Sequence, residues 1–171
     1  MLYRIKQFFW AISANLKEID TEYINNILNK EEQNLFYSLI KSEQFHCLRV
    51  SLDLVELYKG NSTIDVEKLA KLGLLHDVGK QGLKFGPIDK SIFVIVKKIS
   101  KGNLKKYSKF KRMNLYYNHP IKGVEILRES KFNSYSDEFL EAVEKHHMSV
   151  DQISRSKNKY LVYLNICDDR N

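Results

Sequence analysis

Apolar residues recur along this chain at intervals of three and four, with no sustained alternation of the kind a half-buried strand needs. The pattern predicts a helix or pair of helices over about 3–40, with breaks near Asp20-Thr21 and Asn29-Lys30. A second helix runs over about 43–59 and stops at Gly60-Asn61, a C-terminal signal. The third starts near Thr63 or Asp65 and carries Leu69, Leu72 and Leu75 into His76-Asp77, after which Gly79, Gly82 and Gly86-Pro87 open a loop. Residues 89–99 read as a short apolar helix. Pro120 suits a first helical turn, so a helix capped by Asn118 or His119 runs to about Arg128. Ser134 or Ser136 opens another that reaches His147, and a last helix covers about 157–169. The expected fold class is all-α.

Composition supports that reading and narrows it. At 171 residues the chain fits one domain, and 43% hydrophobic with 29% charged residues excludes a disordered tail. Seven Gly and two Pro are too few to punctuate a sandwich or barrel of short strands. No repeat or linker divides the chain, so residues 1–42 are read as N-terminal helices packing on a core formed by 43–171, one structural unit overall. The apolar run Ile92–Val96 is far short of the roughly 20 residues that span a bilayer. Phe8-Phe9-Trp10 near the start read as part of a packed first helix or an interfacial helix rather than a signal peptide. Cys47 and Cys167 have no C-x-x-C spacing, which makes a reducing cytoplasm the default location. The net charge of +7 is local: Lys97 to Arg112 carries eight basic and no acidic residues, leaving the rest nearly neutral.

The candidate chemistry lies in five histidines, His46, His76, His119, His146 and His147, and two aspartates, Asp77 and Asp168. His76 continues the face of Leu69 and Leu72, and His146 continues that of Phe139, Ala142 and Val143. Asp168 follows Leu161 and Leu164 on an apolar helix, although Val162, Ile166 and Asp169 also line up. One inward histidine is more often a satisfied core residue than a ligand. Five on or beside inward faces at helix ends, with two inward carboxylates, point instead to a divalent metal: Mn, Fe, Co, Ni or Zn.

These residues also carry a resemblance. His46, then His76-Asp77, then Asp168, resembles the H…HD…D signature of the HD-domain metal-dependent phosphohydrolase superfamily. Leu74-Leu75-His76-Asp77-Val78-Gly79-Lys80 is similar to its "LLHDIGK" form, with Val78 in place of Ile. His119-Pro120 with Gly123 and Ile126-Leu127, followed by His146-His147, resembles the HDIG-type branch, which includes HD-GYP proteins and bacterial dinucleoside tetraphosphate hydrolases. The resemblance spans about 43–169. It implies a helical bundle with a metal site between helices. His46, His76, Asp77 and Asp168 would bind a first metal, and Asp77 would bridge to a second on His119 and His146. His147 is a possible further ligand. The resemblance also prefers Asp168 over Asp169 and gives Lys80, with Asp77, a catalytic place against the substrate's phosphate.

Departures from the family pattern narrow the activity. Met148-Ser149-Val150-Asp151-Gln152 after the paired histidines lacks Gly-Tyr-Pro, which disfavours a cyclic di-GMP phosphodiesterase. The interval from Asp77 to His119 is long for the small dinucleoside tetraphosphate hydrolases, and it holds the basic segment. That segment, 97–112, interleaves Tyr107 and Phe110 with its cations. It reads first as a solvated face, next as a lid that draws in a nucleotide or polyphosphate, and last as a surface for nucleic acid or an anionic membrane. The expected function is a cytoplasmic metal-dependent phosphohydrolase cleaving a phosphate ester of a nucleotide or related small molecule. A phosphodiesterase of dinucleotide second messengers or dinucleoside polyphosphates is the alternative within enzymes. A catalytically silent HD module that binds nucleotide, nucleic acid or a protein partner is the alternative outside them.

Overall fold

In the computed structural model, residues 18–82, 117–130 and 134–171 are described. Among them there is no strand, and the order is α1 (Thr21–Ile27), α2 (Lys30–Tyr37), α3 (Lys41–Tyr58), α4 (Val66–Leu75), a 3-10 turn (Val78–Lys80), α5 (His119–Glu129), α6 (Asp137–Lys145), α7 (Val150–Ile153) and α8 (Lys159–Asp168). The helix expected over 89–99, the basic segment 97–112 and Phe8-Phe9-Trp10 lie outside the described residues. No described helix is long and apolar enough to cross a membrane.

Helix boundaries follow from side chains that satisfy the free amides of first turns. Asp20, Asp65, Ser136 and Asn158 cap α1, α4, α6 and α8 by accepting from the N–H of Tyr23, Lys68, Phe139 and Leu161. Asn29 and Glu32 form a reciprocal capping box at α2. Each such cap contributes about 1 kcal/mol and fixes where the chain bends into the helix. α5 starts instead with Pro120 in its first turn, behind Asn118. Two details differ from the expectation. α6 ends at Lys145, so His146 and His147 occupy the turn beyond it, and α7 escapes the periodicity because four residues carry too little of it.

α3 and α4 form the central pair. They approach closely because residue 73 is glycine: a Cβ there would lie 2.5 Å from Ser51 Cα. Ser51 Oγ then donates to the Ala70 carbonyl at 2.7 Å, which satisfies the hydroxyl at this apolar seam. α8 packs on α3, α4 and α6, and α5 packs on the 3-10 turn and α6. The core between them includes Leu54, Leu69, Leu72, Leu75, Phe139, Val143, Leu161 and Leu164, all buried. Each such side chain contributes roughly 1.5–3 kcal/mol on burial. α1 and α2 cover α4 from outside. A buried carboxylate fixes that cover: Glu32 takes the Tyr135 hydroxyl at 2.9 Å and pairs with Lys71 at 3.0 Å. Burial, reinforced by Glu32, pushes the Tyr135 phenol well above its ordinary range.

Candidate metal centre

Five separate pieces of backbone deliver the polar cluster. His46 stands within α3, His76 caps the C-terminus of α4, and Asp77 follows it immediately ahead of the 3-10 turn. His119 is the first residue of α5, His146 caps the C-terminus of α6, and Asp168 is the last residue of α8. A helix end lets a side chain turn inward while the backbone leaves, which is why apolar stripes end here in ligand-type residues.

Asp77 is the hub. Its Oδ2 lies 3.4 Å from His76 Nε2 and 3.7 Å from His46 Nε2. Its Oδ1 lies 3.0 Å from His119 Nε2 and 3.7 Å from His146 Nε2. Asp168 Oδ1 meets His46 Nε2 at 2.9 Å and His76 Nε2 at 3.7 Å. Two of the groups of potential ligand atoms matter most here: His46 with His76 and Asp168, and Asp77 with His119, His146 and His147. One carboxylate therefore faces both groups, an oxygen to each. His147 is half-exposed, with Nε2 3.2 Å from His119 Nε2 and Nδ1 3.7 Å from Asp168 Oδ2. Asp169 is exposed, whereas Asp168 faces the cluster.

The tautomers explain what such a cluster requires. His76 Nδ1 donates to the Gly73 carbonyl at 2.9 Å, and His146 Nδ1 donates to the Val143 carbonyl at 2.7 Å. With those protons committed, the neutral form of each ring has its lone pair at Nε2. Both Nε2 atoms are buried without a hydrogen-bond partner, and so is Asp77 Oδ1. Lone pairs that face carboxylate oxygens in a buried site repel unless a cation lies between them. A proton or a metal ion meets that need, and nitrogen and oxygen donors of this kind suit a divalent transition metal. The arrangement, an imidazole held through Nδ1 and open at Nε2, is the way ligating histidines are oriented.

Electrostatics separate the two sides. Burial works most strongly against a charged His76, but Asp77, Cys47 and Asp168 together outweigh it and raise the imidazole well above its usual range. Burial dominates at His146, reinforced by His147 and His76, and lowers it well below that range. Burial also opposes ionisation of Asp77, yet Lys80, His76 and His119 hold its carboxyl well below the usual value. At Asp168, His46 and His76 likewise override burial.

The arrangement brings all six residues of the expected ligand set into one cluster, with His147 at its rim. Lys80 is also here, buried, with its ammonium against Asp77 Oδ2 and 3.1 Å from Glu43 Oε2. Sequence reasoning passed over two residues. Glu43 lies one turn before His46 and is buried, although its periodicity marks it only as an early-turn acid. Asn165, one turn before Asp168, donates to the His146 carbonyl at 2.8 Å and so fastens the end of α6 to α8. Cys47 Sγ is close to the His76 and Asp77 donors, and both cysteines are buried free thiols. A family model described as HD domain matches residues 45–169. No curated protein and no solved structure matches the chain.

Proposed function

This chain belongs to the HD-domain family, and from that premise we propose that it is a phosphohydrolase that uses a divalent metal centre to cleave a phosphate ester of a nucleotide or related small molecule. The observation that carries the reading is the pair of buried ring nitrogens without a hydrogen bond, His76 Nε2 and His146 Nε2, converging on Asp77 where two ligand groups share one carboxylate. A core histidine kept for packing would have both ring nitrogens satisfied. Here the second nitrogen of each is aimed at an acceptor.

The residues divide the work. His46, His76 and Asp168 would hold one ion and His119 and His146 the other, with Asp77 shared between them. Divalent ions held there make water a nucleophile near neutral pH and neutralise charge on the phosphoryl oxygens. Gly73 and Val143, through their carbonyls, keep His76 and His146 in the tautomer that leaves Nε2 open. Lys80 supplies a positive charge beside the centre, suited to a phosphate as a point charge. Lys122, one turn after His119, reaches the Gln81 carbonyl at 3.3 Å and adds a second cation next to the 3-10 turn.

Metal content and turnover test this together. Protein purified without chelator is expected to carry about two equivalents of Mn, Fe, Co, Ni or Zn and to hydrolyse members of a phosphate-ester panel. About one equivalent would leave His119 and His146 without an ion. No metal after reconstitution would sink the hydrolase and favour a module that only binds.

A further inference from the structure

Lys80 rests on two carboxylates whose positions in the fold differ. One is Asp77, at the Oδ2 atom that also faces His46 and His76. The other is Glu43, whose Oε2 lies 3.1 Å away. Both Lys80 and Glu43 are buried, so their charges act on each other with little screening by water. Glu43 sits three residues before His46 on α3, and the rigid helix therefore fixes it relative to that ligand.

The pairing conflicts with a metal ion. A divalent ion held by His46 and His76 would take the same Asp77 oxygen that the ammonium now contacts. Two cations against one oxygen in a buried site repel strongly. The ammonium must move from Asp77 for the ion to settle, and moving it out to water would take its charge away from the buried Glu43 carboxylate, which is costly. Glu43 offers an anion already within hydrogen-bond reach. We propose that Glu43 is a positioning residue for Lys80: it takes the ammonium when a metal claims Asp77, and it keeps that charge beside the centre, available to a substrate phosphate. The proposal rests on the metal-centre reading above.

A metal-binding cycle tests it without any assay of turnover. The full-length protein, Glu43→Gln, Lys80→Met and the double variant are stripped of metal and titrated with Mn²⁺, free ion being followed by electron paramagnetic resonance. In the wild-type background Glu43→Gln is expected to weaken Mn²⁺ binding about tenfold, because the ammonium then leans on Asp77. In the Lys80→Met background the same substitution is expected to change binding less than about threefold, because no ammonium remains to compete. An equal loss in both backgrounds would make Glu43 merely a nearby negative charge and overturn the proposal. No loss in either background would also overturn it. Wild-type protein that binds no Mn²⁺ would overturn the metal centre itself and the proposal with it, an outcome distinct from a missing coupling. Should Glu43→Gln lose its helical circular dichroism, Glu43→Asp carries the test, since it keeps the charge on a shorter stem. Its expected loss is about threefold, again abolished by Lys80→Met.

Discussion

At the scale of the residue, His76 and His146 show how one arrangement gives opposite protonation. Both donate Nδ1 to a carbonyl three residues back, and both are fully buried. The difference is the charge each meets: Asp77 raises His76, while burial and neighbouring imidazoles lower His146. Near neutral pH the metal-free protein therefore carries a proton on His76 that an ion must displace. Calorimetry in two buffers of different ionisation enthalpy should find about one proton released per first ion bound at pH 7, with affinity rising as pH rises. The sign for folding is the reverse. A raised His76 stabilises the metal-free fold fully below its unfolded value of about 6.5, and that contribution disappears as pH rises through the folded value. Asp77 and Asp168, both lowered, stabilise above about 3.9, and their contribution disappears as pH falls through their folded values. Urea titrations of the metal-free protein should show both losses. Asp77→Asn removes the shared anion, so metal affinity and any turnover should fall by roughly a hundredfold while far-ultraviolet circular dichroism stays helical. The ligand-type residues were legible because each ends or adjoins an apolar stripe. Glu43 was not, since its partner Lys80 is distant in sequence and a buried acid has the same letter as a solvated one.

At the scale of the element, caps and stripes made most helices readable. Asp20, Asn29, Asp65, Ser136 and Asn158 all stand where the apolar period begins, and each does cap. What the local pattern could not reveal was how helices approach. Gly79 reads as a loop residue, yet it is the contact point of the 3-10 turn with α5. A Cβ on Gly79 would overlap the His119 carbonyl and stand 2.6 Å from Gly123 N. Both obstacles are backbone, so neither can rotate away. Gly79→Ala should thus push α5 outward and carry His119 from Asp77, costing on the order of 1–3 kcal/mol in denaturant melts and lowering metal stoichiometry. Gly60→Ala is the control, because nothing lies within 4 Å of its Cβ position. It should be neutral or stabilise by about 0.4–1 kcal/mol, through a less flexible unfolded chain.

At the scale of the whole molecule, the cluster is where the bundle is drawn together. The apolar core joins α3, α4, α6 and α8, with α5 entering it through Val124 and Leu127, and the site ties α5 in again through His119. Binding by the folded state alone should then raise stability by about 2.7 kcal/mol at a Mn²⁺ concentration a hundred times its dissociation constant. For a chain of this size that is roughly 5–10 °C in Tm, reversed by a chelator. The reading of one core and one site rests on the absence of a repeat or linker that divides the sequence. The contacts that tie the rim, such as Asn171 Nδ2 on Asp53 Oδ2 at 2.7 Å, left no such trace. The spread of the donors over five pieces of backbone has one more consequence, for local opening. Amide hydrogens at the ends of α5, α6 and α8 exchange with solvent whenever their own turn frays, each at its own rate. An ion that takes a donor from each end makes every such fraying cost a coordination bond, so the amides of separate helices should slow together and report a single breathing unit.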